Sequence, residues 1–65
     1  MHIFLNGQAT ETQAATLTAL LNEQQIDRSC VACALNGDFV PRGLYDATPI
    51  NEGSKIEVLS PMQGG

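Results

Sequence analysis

The chain has 65 residues and a net charge of −4, from three basic and seven acidic side chains. A chain this short holds one domain without an interdomain cleft, and its core alone supplies roughly 3–5 kcal/mol. Arg28, Arg42 and Lys55 stand singly, which argues against nucleic acid or an anionic membrane surface as a partner, since both need clustered cations. Leu, Ile, Val and Phe number 16 of 65, above the disordered range of less than about 20%, so the chain should fold. The longest apolar run, Cys30 to Leu35, is far short of the ~18 residues a bilayer span needs. No basic region precedes an apolar stretch at the start, so a signal peptide is not expected and a cytoplasmic location is.

His2 to Leu5 reads as a strand, and Asn6-Gly7 as the tight turn of a hairpin. Gln8 to Thr12 returns; its polarity places it near an edge. Thr16 is an N-cap, because its hydroxyl can accept a bond from an unpaired amide of the first helical turn. Leu17, Leu20 and Leu21 follow at helical spacing, which predicts one amphipathic helix over Thr16 to Gln25, with Ile26 closing its apolar side. Val31, Cys33 and Leu35 alternate with small residues as a buried strand should. Asn36-Gly37 marks a second tight turn, and Phe39-Val40 a short return that Pro41 ends or confines to an edge. Arg42 to Ile50 reads as a loop with a helical turn near Leu44-Tyr45. Lys55 to Leu59 alternates as the last strand, with Ile56 and Val58 inward.

This order, β-β-α-β-β-β, predicts an α+β fold with a sheet on one side and a single helix on the other. A last strand laid parallel to the first would put the two most apolar strands at the centre. That is the β-grasp (ubiquitin-like) arrangement, a mixed sheet of four to five strands wrapped on one helix. Other α+β orders remain compatible with the composition.

After Leu59 the chain runs Ser60-Pro61-Met62-Gln63-Gly64-Gly65. Proline blocks the ladder and two glycines bury nothing. A domain of residues 1–59 is therefore expected to carry a flexible arm of residues 60–65, reaching roughly 20 Å at about 3.3 Å per residue. A frayed terminus is the bland reading. The chemical reading is that a terminal glycine offers a carboxylate whose carbonyl no Cβ shields, and that paired glycines thread a narrow slot. A carboxylate is a poor electrophile, so a partner must activate it, most simply as an acyl-adenylate made with ATP.

Met1-His2-Ile3-Phe4-Leu5-Asn6-Gly7, the run Ala34-Leu35-Asn36-Gly37-Asp38-Phe39-Val40-Pro41-Arg42, and Glu52 to Leu59 followed by Gly64-Gly65 together resemble the ubiquitin-like sulfur carrier proteins, most closely the ThiS carriers of thiamine (thiazole) biosynthesis. The resemblance covers nearly the whole chain; Gln8 to Ala15 adds nothing to it. It implies that the protein is a co-substrate and not an enzyme, with no bound cofactor. An E1-like adenylyltransferase would adenylate the Gly65 carboxylate using ATP, a sulfur-donating enzyme system would convert it to a thiocarboxylate, and a thiazole synthase would take the sulfur. Gly64, Gln63 and Met62 would thread the partner's channel. The small subunit of molybdopterin synthase is a similar carrier and the alternative within the family. A non-covalent β-grasp adaptor with an idle tail is the alternative outside it.

Cys30-Val31-Ala32-Cys33 has C-x-x-C spacing, but thiols three apart on a strand point to opposite faces, and His2 is the only other conventional ligand nitrogen, so no metal site is expected. His2 reads as a surface residue and Arg42 as a solvated one. If Ile3, Leu5, Ile56 and Val58 face the helix, Phe4 and Leu59 face away, and nothing obvious covers them. These two are expected to form an apolar docking patch beside the root of the arm.

Overall fold

β1 (His2–Leu5) and β2 (Gln8–Glu11) form an antiparallel hairpin around Asn6-Gly7. Both turn residues have positive φ, 52° and 83°, the backbone that a two-residue hairpin needs and that Asn and Gly tolerate. Asn36 and Gly37, at 53° and 89°, repeat this between β3 (Ala32–Leu35) and β4 (Asp38–Val40). β5 (Lys55–Leu59) lies between the hairpins, parallel to β1 and antiparallel to β3. The sheet order is β2-β1-β5-β3-β4, the order expected of a β-grasp. The polar β2 and the β4 that Pro41 terminates are its edges, where unpaired backbone meets water at least cost.

The computed structural model describes residues 1–60. Most of the expected arm, Pro61, Met62, Gln63, Gly64 and Gly65, lies outside the described residues.

α1 (Leu17–Glu23) packs Leu17, Leu20 and Leu21 onto the sheet. It is shorter than the predicted Thr16–Gln25 at both ends, for local reasons. Thr16 is the cap and not a helical residue; its Oγ1 accepts from the Ala19 amide at 3.2 Å. At the other end Gln25 adopts a φ of 60°, and the amides of Gln25 and Ile26 donate back to the Asn22 and Leu21 carbonyls at 3.1 and 2.8 Å. This is a left-handed helix stop, usually made by glycine. Ile26 then folds against the core as expected. Glu23 ties the connection into α1 to the helix end, accepting from the Thr12 hydroxyl and from the Gln13 amide.

Two 3₁₀ segments complete the helix side, Arg28–Cys30 and Arg42–Ala47. The second is longer than the single turn predicted and carries Tyr45 into the core beside Ile50 and Val40. The strand predicted from Val31 starts one residue later, because the Val31 carbonyl is taken by side chains: Arg42 Nη2 at 3.1 Å and the Tyr45 hydroxyl at 3.5 Å. Arg42 is thus not simply solvated. It also donates from Nε to the Arg28 carbonyl at 3.1 Å, while Arg28 Nη2 donates to the Arg42 carbonyl at 3.0 Å. The Arg28 guanidinium lies 5.4 Å from the Tyr45 ring centre and bonds Asp46 at 2.9 Å. These two arginines lock together segments that carry no regular ladder.

Candidate functional site

Alternation along the central strands divides their side chains between two faces. Ile3 and Ile56 point to α1 and are buried; their neighbours point away. Phe4 lies beside Lys55, Glu57 faces Ala34, and Leu59 faces Ala32. The face opposite the helix therefore holds Phe4, 42% exposed, and Leu59, 67% exposed, as predicted. It holds a third large apolar side chain that sequence reasoning missed: Phe39, 70% exposed, stands opposite Ala34 on β4. The signal was present, since a two-residue turn at Asn36-Gly37 pairs Ala34 with Phe39 and so gives both the same face. The alanines keep the centre of this face low.

A groove of about 400 Å³ crosses it, lined by Phe4, Gly7, Lys55, Ile56 and Glu57. Lys55 and Glu57 place one charge of each sign in that groove, so the surface combines apolar contact with two orienting charges. β5 ends on this same face, at Leu59. Gly65, Gly64, Gln63 and Met62 follow in the sequence but lie outside the described residues; of the predicted site residues, Phe4 and Leu59 share this face but stand at opposite ends of β5, Phe4 beside Lys55 and Leu59 at the exit.

The end of β5 has a second anchor. The Asn6 carboxamide Oδ1 accepts from the Val58 amide at 2.8 Å, and the Asn6 amide donates to the Ile56 carbonyl at 2.8 Å. Asn36 does the equivalent at the start of the strand: its Oδ1 accepts from the Lys55 amide at 2.9 Å and its amide donates to the Lys55 carbonyl at 2.7 Å.

The remaining candidates scatter. Cys33 is buried in the core, whereas Cys30 is exposed in the first 3₁₀ segment and not on the strand. Both are free, and their thiols do not converge. His2 is exposed, its Nε2 2.9 Å from a Glu11 carboxylate oxygen. Among the described residues no three His, Cys, Asp or Glu side chains are grouped to hold a metal ion. No helix among them is long and apolar enough to cross a membrane. Shifted titrations serve the fold: burial pushes the Tyr45 phenol up. The Thr18 hydroxyl and then Arg28 hold Asp46 below the usual carboxylate range, and the Ser29 hydroxyl and amide do so for Asp27.

Known proteins match this architecture along its whole length. The ThiS family model matches residues 3–65. The crystal structure of the thiamine biosynthesis protein ThiS from Geobacter metallireducens superposes with a TM-score of 0.84 at 30% identity, covering 100% of both chains. An NMR solution structure of a thiamine biosynthesis protein from the same organism gives 0.81 at 30% identity, over 100% of this chain and 88% of that one. A thiazole synthase from Paramagnetospirillum magneticum is 33% identical over 66 residues, which takes in 100% of this chain and 20% of that protein. The chain thus spans one fifth of that relative's length. Sequence, strand order and superposition agree, and the chain belongs to the ThiS family of β-grasp sulfur carriers.

Proposed function

We propose that this protein carries sulfur on the carboxyl group of Gly65 for the assembly of the thiamine thiazole. In the first step a carboxylate oxygen attacks the α-phosphorus of ATP within an E1-like adenylyltransferase, and pyrophosphate leaves. A sulfur nucleophile supplied by a sulfur-donating enzyme system then adds to the acyl carbon, the bond to AMP breaks, and a thiocarboxylate remains. The thiocarboxylate passes its sulfur to a thiazole synthase. The carrier brings the acyl group and a docking face, and its partners bring the catalysis; it has no bound cofactor of its own.

The observation that carries this reading is the family match running through Gly65. Two others support it. The apolar face with Phe4, Phe39 and Leu59 adjoins the end of β5, so a partner docked there would receive the chain that leaves Leu59. A thiazole synthase that holds a segment similar to this whole chain also favours such an enzyme as the sulfur acceptor, because one polypeptide then keeps donor and acceptor together.

The test is fragmentation mass spectrometry after incubation with the activating enzyme, ATP and a sulfur donor. Intact mass is ambiguous, since sulfur replacing oxygen nearly equals one added oxygen and Met62 sulfoxide mimics the product. ATP-dependent sulfur located on Gly65 is the expected result. An unmodified Gly65, while a known carrier is modified by the same enzymes, would favour a non-covalent adaptor. Sulfur on Gly65 that is delivered to dithiolene and not to thiazole would favour the molybdopterin branch.

A further inference from the structure

We infer that Asn6 is a positioning residue that sets the direction in which the chain leaves β5 towards Gly65, an inference that rests on the carrier reading. β1 and β3 flank β5 and run in opposite directions, so their following Asn-Gly turns lie at opposite ends of it. Backbone groups of residues 56 and 58 face β1, and those of residue 55 face β3. β1 turns away at Asn6-Gly7, and β5 continues past it to Leu59. The Val58 amide therefore lies beyond the last backbone pairing with β1, and the Asn6 side chain supplies its acceptor at 2.8 Å. The left-handed backbone of Asn6, φ 52°, allows its own amide to extend the ladder while its carboxamide continues it by one more bond.

Beyond Asn6, β5 is held on its other flank by β3, where Leu59 faces Ala32. The Asn6 bond makes the hold two-sided up to Val58. Gly65 lies six residues past Leu59, a span of roughly 20 Å at about 3.3 Å per residue. The point from which those residues set out limits where Gly65 can be presented, and misplacing a reacting group by about 1 Å can cost on the order of a hundredfold in rate. Holding Val58 from both sides fixes that starting point relative to a docked partner. Asn36 bonds the amide and carbonyl of Lys55 at the entry to β5, four residues before Leu59, and so serves as an internal control.

Three full-length variants test this with the activating enzyme, ATP and a sulfur donor, read as steady-state pyrophosphate release. Asn6→Gly keeps the turn and removes the carboxamide; kcat should fall roughly tenfold with KM within about twofold, because the docking face is untouched. Asn6→Asp retains an acceptor oxygen and should recover kcat to within about twofold of the parent. Asn36→Gly loses an equivalent bond and should leave kcat unchanged. Amide exchange should speed up at Val58 in Asn6→Gly and at Lys55 in Asn36→Gly. Equal kcat in the two glycine variants, or a loss confined to KM, overturns the positioning role. If the parent chain releases no pyrophosphate while a known carrier does, the carrier reading itself fails. Unchanged exchange at Val58 in Asn6→Gly shows that Asn6 does not hold the strand, whatever the function.

Discussion

The two faces of the central sheet are built from alternate residues of the same strands, yet they hold opposite kinds of apolar surface. On the helix side Ile3 and Ile56 are sealed under α1 and the Tyr45 segment, at 0% and 1% exposure. On the other, Phe4, Phe39 and Leu59 meet solvent. Apolar surface contributes to folding in proportion to the area removed from water, about 25 cal/mol per Å². The helix face therefore stabilises the fold, and the open face adds little to it. In a chain with so small a core, three large apolar side chains left in water are the surface on which the proposed docking rests.

The comparison is sharpest at Ile56. Replacing it with Ala should cost about 2–5 kcal/mol, close to the whole stability of a domain this small, so urea titration should show a largely unfolded chain. A parental midpoint would break the distinction between the faces. Phe39→Asp probes the other side. It should change the unfolding free energy from urea titration by no more than about 0.5 kcal/mol, while weakening calorimetric binding to the activating enzyme at least ~10-fold. Unchanged binding would leave the docking face to Phe4 and Leu59.

Smaller effects concern the supports of the buried face. Gln25→Gly removes a side chain from a left-handed helix stop and should raise stability by about 0.5–1 kcal/mol in thermal melts. Acid should expose the pairing of the 3₁₀ segments. Asp46 and Asp27 are held below their unfolded values, so their contributions are complete above the ordinary carboxylate pKa of about 3.9 and are lost as pH falls through the folded values. Melts between pH 2 and 7 should show this loss on the acid side, and Asp46→Asn should flatten part of it.

Much of this was legible because it is local. Asn-Gly can adopt two consecutive positive φ angles, Thr16 reaches an amide three residues on, and the alternation of Lys55 to Leu59 assigns faces within one strand. The Phe39 face was also legible, but only by carrying the register across the Asn36-Gly37 turn. Arg42 was not: its acceptors lie on Arg28 and Val31, and nothing in the spacing of these residues announces the pair. Tyr45 looked like a loop residue because its burial depends on where α1 and the sheet leave a gap.

The sequence by itself determined the strands, the helix, both turns, the apolar alternation and, through the resemblance of its segments, the family. Each depends on neighbours a few residues apart, or on residue types in a recognisable order. Tertiary structure alone decided that the carboxamides of Asn6 and Asn36 complete the ladder of β5, across 52 and 19 residues of chain. It also decided that Arg42 and Tyr45 meet at the Val31 carbonyl. A hydrogen bond needs its donor and acceptor within about 3 Å and aligned, and for partners so far apart in sequence only the folded sheet supplies that geometry.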